Sequence, residues 1–237
     1  MALSKKELSA QLFQENTQLF ACPYCNESIQ LKEGRTLFCE NNHTFDLAKQ
    51  GYVNMLTHAV KSMYDSSLFE ARKRILDEMF YEQIYEEIVQ VLSEIGQEIT
   101  VLDTGCGEGT HLKKIQEKFT GTLIGSGIDI AKEGIQAAKN YAHLMWVVGD
   151  LAKSPYAKNQ FDAILNILSP ANYEEFKRIS KEGGIVIKVV PQSDYLKELR
   201  MLYYANSTKE DYSNEKIVSR FEANFDDVIV RHTTVTK

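Results

Sequence analysis

Two groups of residues in this sequence have types and spacings that could do chemistry. The first is Cys22-Pro23-Tyr24-Cys25 followed by Cys39-Glu40-Asn41-Asn42-His43. Three thiols and an imidazole make a four-ligand set for tetrahedral zinc. The C-x2-C and C-x3-H spacings let each pair reach one ion from a single turn. With Cys22, Cys25, Cys39 and His43 all supplied by protein, the site is expected to be closed and structural, with no position for a reacting water. The chain has four cysteines, and three of them stand in this spacing, which argues for metal rather than disulfides. Phe20, Phe38, Phe45 and Tyr52 are too few apolar groups to fold so short a stretch without a metal.

The second group is Val101-Leu102-Asp103-Thr104-Gly105-Cys106-Gly107-Glu108-Gly109. Ile99 to Leu102 reads as a buried strand and Thr110 to Phe119 as a helix. Between them, glycines remove side chains where strand turns into helix, so a ligand can lie against bare backbone. The spacing is G-x-G-x-G, not the G-x-G-x-x-G of the dinucleotide fingerprint, which disfavours a nicotinamide oxidoreductase. An acid before the turn suits a ligand carrying an ammonium and a sulfonium better than one carrying two phosphates. The Asp-x-Gly-x-Gly-x-Gly pattern resembles motif I of the class I S-adenosylmethionine methyltransferases. Cys106, inside the turn, is read as small packing rather than a nucleophile.

The surrounding elements must place these groups in one crevice. Ser4 to Glu7 fits a capping box ahead of a short amphipathic helix. Residues 57–66 read as a linker, and Leu68 to Ile95 as helices preceding the first strand. Strands then alternate with helices: strand Leu123–Ile130, helix Lys132–Tyr141, strand Leu144–Val148, strand Phe161–Ile167 and helix Tyr173–Ser180. A turn at Glu182–Gly184, strand Ile185–Val190, helix Asp194–Tyr204 and strand Val228–Thr234 complete the series. That succession predicts an α/β fold with a doubly wound, mostly parallel sheet and ligands at the carboxyl ends of its strands. Asp129, followed by Ile130, is placed to accept ribose hydroxyls. Asp150 is placed to take an adenine amino group, with Leu151 against the ring. Each acid alone is equally readable as a cap on the next helix.

The chain has 237 residues and a formal net charge of −6, so a nucleic-acid partner would need a local basic patch. No apolar run reaches the ~20 residues that span a bilayer. No signal-peptide block opens the chain. A cytoplasmic protein with no membrane partner is expected, and a homodimer stays open.

The ordered combination of the Cys22/Cys25/Cys39/His43 module with Phe45-Asp46-Leu47-Ala48-Lys49-Gln50-Gly51-Tyr52-Val53-Asn54 is similar to the RlmA/TlrB-type 23S ribosomal RNA (guanine-N1)-methyltransferases. Asp65-Ser66, Ala71-Arg72, the glycine turn and Asn166-Ile167-Leu168-Ser169-Pro170-Ala171-Asn172 extend the resemblance from about Cys22 to the end. It implies a Rossmann-like methyltransferase using S-adenosylmethionine and one structural zinc. It also implies methylation of a guanine N1 in a 23S rRNA hairpin loop, in some members giving macrolide resistance. The implied organisation is an N-terminal helix over 1–20, a zinc-binding RNA-recognition module over 21–60 and a methyltransferase domain over 61–237.

Carried over, Asp103, Gly105, Cys106, Gly107, Glu108, Gly109, Asp129, Ile130, Asp150, Leu151 and Asn166 fall on the cofactor-binding positions, with Arg72 at the methionine end. Asn166, Ser169 and Pro170 lie where the fourth strand meets the crevice and could hold the base edge. No general base stands out; Glu108 and Asp65 are weak candidates and Asp162 reads as structural. Lys32, Arg35, Lys49 and Lys61, with Tyr24, Phe38 and Tyr52 as stacking faces, are the RNA-contact candidates. The family continues beyond the point where this chain stops, through a further strand bordering the substrate entrance. Cofactor binding is expected to survive such a shortening, with activity put in question. At this level two readings compete with an rRNA methyltransferase: a zinc-ribbon RNA-binding protein with an inactive methyltransferase fold, and a small-molecule methyltransferase.

Overall fold

The computed structural model of the protein describes residues 3–60, 64–138, 141–204 and 213–234. Helix α1, Lys5–Glu15, starts as its sequence dictates: the Ser4 hydroxyl accepts from Glu7 N, and the Glu7 carboxylate accepts from Ser4 N at 2.7 Å. This satisfies two of the amide donors that a helix start leaves open. Its inner face buries Ser9, Ala10 and Phe13.

Strands β1 (Gln30–Lys32), β2 (Thr36–Phe38) and β3 (Thr44–Asp46) form an antiparallel meander. Leu37 sits opposite both Leu31 and Phe45, which gives this small sheet its one apolar face.

The larger sheet joins β4 (Tyr52–Asn54), β5 (Glu98–Thr104), β6 (Thr122–Asp129), β7 (Met145–Val148), β8 (Phe161–Ile167) and β9 (Ser180–Val189). Their spatial order is β4-β7-β6-β5-β8-β9, and β5, β6, β7, β8 and β4 pair in parallel. The chain winds outward from β5 in both directions, so the switch point lies at the carboxyl ends of β5 and β8. Helices α2 (Ser66–Asp77), α3 (Glu82–Ile95), α4 (Thr110–Lys118), α5 (Lys132–Ala137) and α6 (Tyr173–Ile179) accompany the sheet. Asp65 caps α2 by accepting from Leu68 N, and Asn172 caps α6 by accepting from Glu175 N. Tyr85, Ile88 and Leu92 give α3 one buried stripe.

Two places show why glycine recurs. Gly127 in β6 lies under the Trp146 indole, where an added Cβ would collide with the ring. Gly125 likewise leaves room for Leu144. Trp146 on β7 and Leu144 just before it are therefore accommodated by bare backbone on β6.

β4 lies within the stretch that spacing assigns to the zinc module, yet it is an edge strand of the parallel sheet. Tyr52, Val53 and Asn54 pair with Trp146, Val147 and Val148, and Met55 N donates to Val148 O at 2.8 Å. The other end of the module is also fixed. Phe20 bridges Tyr156, Ala21 N donates to Pro155 O at 2.9 Å, and the Phe13, Phe20 and Tyr156 rings pack in series. The metal module is thus fastened to the sheet at its entry and its exit.

The structure corrects three expectations. The turn at Glu182–Gly184 is part of one strand, Ser180–Val189. Gly183 takes φ +73, and Gly184 lets Phe161 O and Lys181 O approach to 2.9 Å of where a Cβ would stand. The run Val228–Thr234 is not a strand. Ile229 and Val230 are 81% and 54% exposed, and a β-branched run with no ladder partner has nothing to hold it extended. The helix beginning at Lys132 ends at Ala137. Residues 139–140, within its expected span, lie outside the described set, as do Lys61 and Val235.

Residues 188–232 form a second compact unit. It contains α7 (Lys197–Tyr204) and α8 (Glu215–Glu222), a helix that the pattern reading missed. Within it Asn214 Nδ2 donates to Pro191 O at 3.0 Å, and Gln192 Nε2 lies 2.9 Å from His232 Nδ1. Among the described residues, no helix is long and apolar enough to cross a membrane.

Candidate metal centre and cofactor crevice

Cys22 and Cys25 flank a tight turn ahead of β1, and Cys39 and His43 flank a second between β2 and β3. Asn26 and Asn42 close these turns in left-handed conformations, φ 60 and 62, donating backbone N–H to Cys22 O and Cys39 O. Asparagine tolerates that region better than most residues. The four ligand atoms lie within 4.8 Å of one another. His43 Nδ1 is 3.4, 3.5 and 3.4 Å from the sulfurs of Cys22, Cys25 and Cys39, and the Cys25 and Cys39 sulfurs are 3.7 Å apart. A tetrahedral zinc with ordinary bond lengths sets sulfurs about 3.8 Å apart and sulfur and nitrogen about 3.6 Å apart. The donor set therefore fits one structural zinc, with His43 binding through Nδ1. Tyr24 stacks on the His43 ring at 4.9 Å and stays 53% exposed on its other side.

The glycine turn leaves β5, and Gly105, Gly107 and Gly109 all have positive φ, +71, +54 and +75. Their freedom serves protein packing as well as a ligand. A Cβ on Gly105 would meet Ser169 at 2.6 Å, and one on Gly109 would strike Trp146. Gly105 N and Cys106 N both donate to Ile128 O, folding the turn over the end of β6. Cys106 is buried, its thiol pushed up in pKa by burial, in keeping with a packing role.

Acids collect around this turn. Asp103 is 1% exposed, and among the described residues its Oδ2 has no hydrogen-bond donor. Burial first, then the Asp129 and Glu108 carboxylates, push its pKa up to about 8. Glu108 is fully buried with both carboxylate oxygens lacking a hydrogen bond, and Arg72 Nε lies 3.4 Å from its Oε2. Burial raises Glu108, while Arg72 opposes the rise. Asp129 Oδ2 accepts from Gly107 N at 2.8 Å and its Oδ1 from Ala131 N at 2.7 Å. Asp150 Oδ1 accepts from Ala152 N and so caps the short turn that begins at Leu151. Its Oδ2 lies 3.9 Å from His58 Nε2. The capping reading holds for Asp150, whose carboxylate keeps further lone pairs, while Asp129 spends its oxygens on Gly107 N and Ala131 N without capping α5. Ile130 is 38% exposed beside Asp129. Four acids against one arginine, with buried oxygens lacking donors, define a crevice that wants a cationic ligand with hydroxyl and amino donors. S-adenosylmethionine has that chemistry.

The Asn166–Asn172 segment is folded inward on itself. Asn166 is fully buried, and its amide donates to Thr104 Oγ1 at 3.0 Å, Ser169 Oγ at 2.6 Å and Pro170 O at 2.9 Å. Ser169 Oγ in turn donates to Thr104 O at 2.6 Å, and Asn172 Nδ2 to Leu151 O at 3.1 Å. Asn166 therefore shapes the loop that faces the crevice. The exposed residues on that loop are Leu168, at φ 53, and Pro170.

Pattern reading missed Trp146, which dictates two glycines, and the buried Tyr85–His111 pair. Tyr85 Oη is 2.9 Å from His111 Nδ1, and burial pushes His111 down to about 3, so it is neutral. Among the RNA-contact candidates, Tyr24 is exposed, Phe38 half-buried and Tyr52 buried. Lys32 and Lys49 are exposed, and Arg35 is engaged by Glu33 at 2.9 Å.

A Cys3His ribbon fastened to a doubly wound sheet with an acid-lined glycine turn defines the class: a zinc-containing class I S-adenosylmethionine-dependent methyltransferase. Comparison with known proteins agrees. Residues 20–62 match the family model described as RlmA, N-terminal, and residues 101–184 match the model of a methyltransferase domain. A Bacillus subtilis (strain 168) protein, YxjB, named provisionally a 23S rRNA (guanine-N1)-methyltransferase, is 46% identical over 87% of this chain and 76% of its own. The 23S rRNA (guanine(748)-N1)-methyltransferase of Streptomyces fradiae is 33% identical over 85% of this chain and 75% of its own. Among solved structures, a Methanococcus maripaludis protein named provisionally an S-adenosyl-L-methionine-dependent methyltransferase superposes with a TM-score of 0.54. It is 21% identical and covers 70% of this chain and 85% of its own, a likeness of fold.

The chain belongs to the RlmA-type 23S rRNA (guanine-N1)-methyltransferase family. Its cofactors are S-adenosylmethionine and one structural zinc.

Proposed function

We propose that this protein methylates N1 of a guanine in 23S rRNA, the target lying unpaired in a hairpin loop. The observation that carries the reading is the attachment of the Cys3His ribbon, through β4 to the edge of the sheet that bears the acid-lined crevice and through Phe20 to Tyr156 in the connection between β7 and β8. The loop context follows from chemistry, since guanine N1 lies on the pairing edge and is reached at lower cost outside a duplex.

In this reading Asp129 accepts from the ribose hydroxyls, Asp150 from the adenine amino group, and Asp103 with the Arg72–Glu108 pair faces the methionine end. Ile130 and Leu151 flank the adenine. When bound, S-adenosylmethionine supplies a methyl group made electrophilic by its sulfonium. The chain's own contribution is alignment, holding the guanine edge in line and excluding water. The loop held by Asn166 and Ser169 presents Leu168 and Pro170 as an apolar rim for the base. The N1 proton must leave to solvent as the methyl arrives. A cytoplasmic location accords with an rRNA substrate. The test is incubation of zinc-loaded protein with methyl-labelled S-adenosylmethionine and unmodified 23S rRNA. Label in the RNA supports the reading, and label only in a metabolite pool contradicts it.

A further inference from the structure

A cavity lies where the zinc ribbon meets the sheet, at the carboxyl ends of β6 and β7. It has a volume of about 490 Å³, and its wall includes Tyr24, His58, Ile130, Lys132, Glu133 and Val148. Cavities of this size hold small organic ligands. The glycine turn, Asp103, Asp129 and Asp150 do not line it, whereas Ile130, the residue after Asp129, does, so the cavity adjoins the cofactor crevice and shares that one side chain with it.

Its wall comes from three sources. Tyr24 belongs to the first zinc turn and rests one ring face on His43. Ile130, Lys132 and Glu133 come from the end of β6 and the start of α5, and Val148 from the tip of β7. The segment after β4 closes the cavity, bent by Asn54 Oδ1 accepting from Leu56 N at 3.2 Å. Among the described residues, Glu133 Oε2 is shielded from solvent and has no hydrogen-bond donor. A shielded carboxylate without a donor costs stability unless a ligand supplies one. Tyr24, by contrast, leaves a large aromatic surface exposed.

We propose that this cavity is a nucleobase subsite, holding an unpaired purine next to the methylated guanine. Resting on the RNA substrate proposed above, it adds a second point of recognition to the target pocket. The ring stacks on Tyr24 and packs against Val148. Glu133 accepts from ring or exocyclic N–H groups, which favours guanine because its pairing edge offers N1–H and N2–H together. Lys132 and His58 at the mouth suit the flanking phosphate. The zinc turn thereby sets register, because Tyr24 is held by the ring of a metal ligand.

The experiment uses the full zinc-loaded chain, deproteinised 23S rRNA and the variants Tyr24→Ala, Tyr24→Phe and Glu133→Gln. Filter binding gives RNA affinity without cofactor, turnover gives KM and kcat, calorimetry gives affinity for S-adenosylhomocysteine, and mass spectrometry counts zinc. Tyr24→Ala and Glu133→Gln are expected to weaken RNA binding and raise KM for RNA about five- to a hundredfold. Their kcat and S-adenosylhomocysteine affinity should stay near wild type, and Tyr24→Phe should bind RNA as wild type does. If Tyr24→Ala sheds zinc, Glu133→Gln decides. Unchanged RNA affinity in the deciding variants overturns the subsite. A parallel loss of S-adenosylhomocysteine affinity overturns it too, assigning the cavity to the cofactor. Wild-type protein that binds 23S rRNA but transfers no methyl group refutes the proposed reaction alone, with the subsite still judged by filter binding. Failure of wild-type protein to bind that RNA overturns both.

Discussion

Arg72 Nε stands 3.4 Å from Oε2 of Glu108, joining the helix before the sheet to the turn that follows its central strand. Phe69, one turn earlier on α2, lies 3.4 Å from where a Cβ on Gly107 would be, so α2 rests on the glycine turn through both residues. Arg72→Leu leaves the buried Glu108 without its cation. Removing one partner of such a pair costs about 1–3 kcal/mol here, below the fully buried case because Arg72 is partly exposed. Chemical denaturation should show that loss, and Arg72→Leu/Glu108→Gln should recover part of it. A double variant no more stable than Arg72→Leu alone would contradict the pairing.

Asp103 predicts a proton exchange. Its pKa of about 8 keeps much of it protonated at neutral pH in the free protein, and a cationic ligand favours the carboxylate. Binding of S-adenosylmethionine, with its sulfonium, at pH 7 should therefore release up to one proton, seen as a buffer-dependent heat in calorimetry, and Asp103→Asn should abolish the release.

The same shift fixes a stability trend. The folded pKa lies above the unfolded value, so below about pH 4 both states hold the proton and Asp103 costs nothing. As pH rises from about 4 to about 8, the unfolded chain ionises first and stability falls. Asp103→Asn should flatten that part of the ligand-free Tm profile while weakening cofactor binding about tenfold or more. An unchanged Tm profile would mean that Asp103 is not buried as described.

Gly109→Ala should fail on two counts. Its φ of +75 disfavours any side chain, by about 1 kcal/mol or more, and the added methyl meets Trp146. Gly109→Ala/Trp146→Leu should recover part of the lost cofactor affinity but not all of it, since the backbone cost remains. Recovery to wild type would place the whole effect in the ring contact.

Zinc removal should reach the sheet. β4 and Phe20 tie the ribbon to β7 and Tyr156, so chelation is expected to lower Tm and to weaken S-adenosylhomocysteine binding several-fold. Full cofactor affinity in metal-free protein would show the ribbon to be independent.

Much of this was legible in the sequence, for identifiable reasons. The zinc ligands and the glycine turn are local patterns whose spacing alone determines geometry. The β-branched runs of β5 to β8 announce a buried parallel sheet. The attachment of β4 was not legible, because three residues have no period and their partner, β7, lies far along the chain. Asn166 was placed correctly at a strand tip, but its inward amide depends on Thr104, a contact across 62 residues. Trp146 explains two glycines only once β6 and β7 lie side by side.

The most direct measurement is primer extension on 23S rRNA from cells with and without the gene. An N1-methyl group blocks pairing and halts reverse transcriptase. The account predicts one strong stop at a loop guanine, present only with the intact gene and lost with Asp129→Ala. Identical extension profiles from both cells, or a stop at a nucleotide other than guanine, would contradict it.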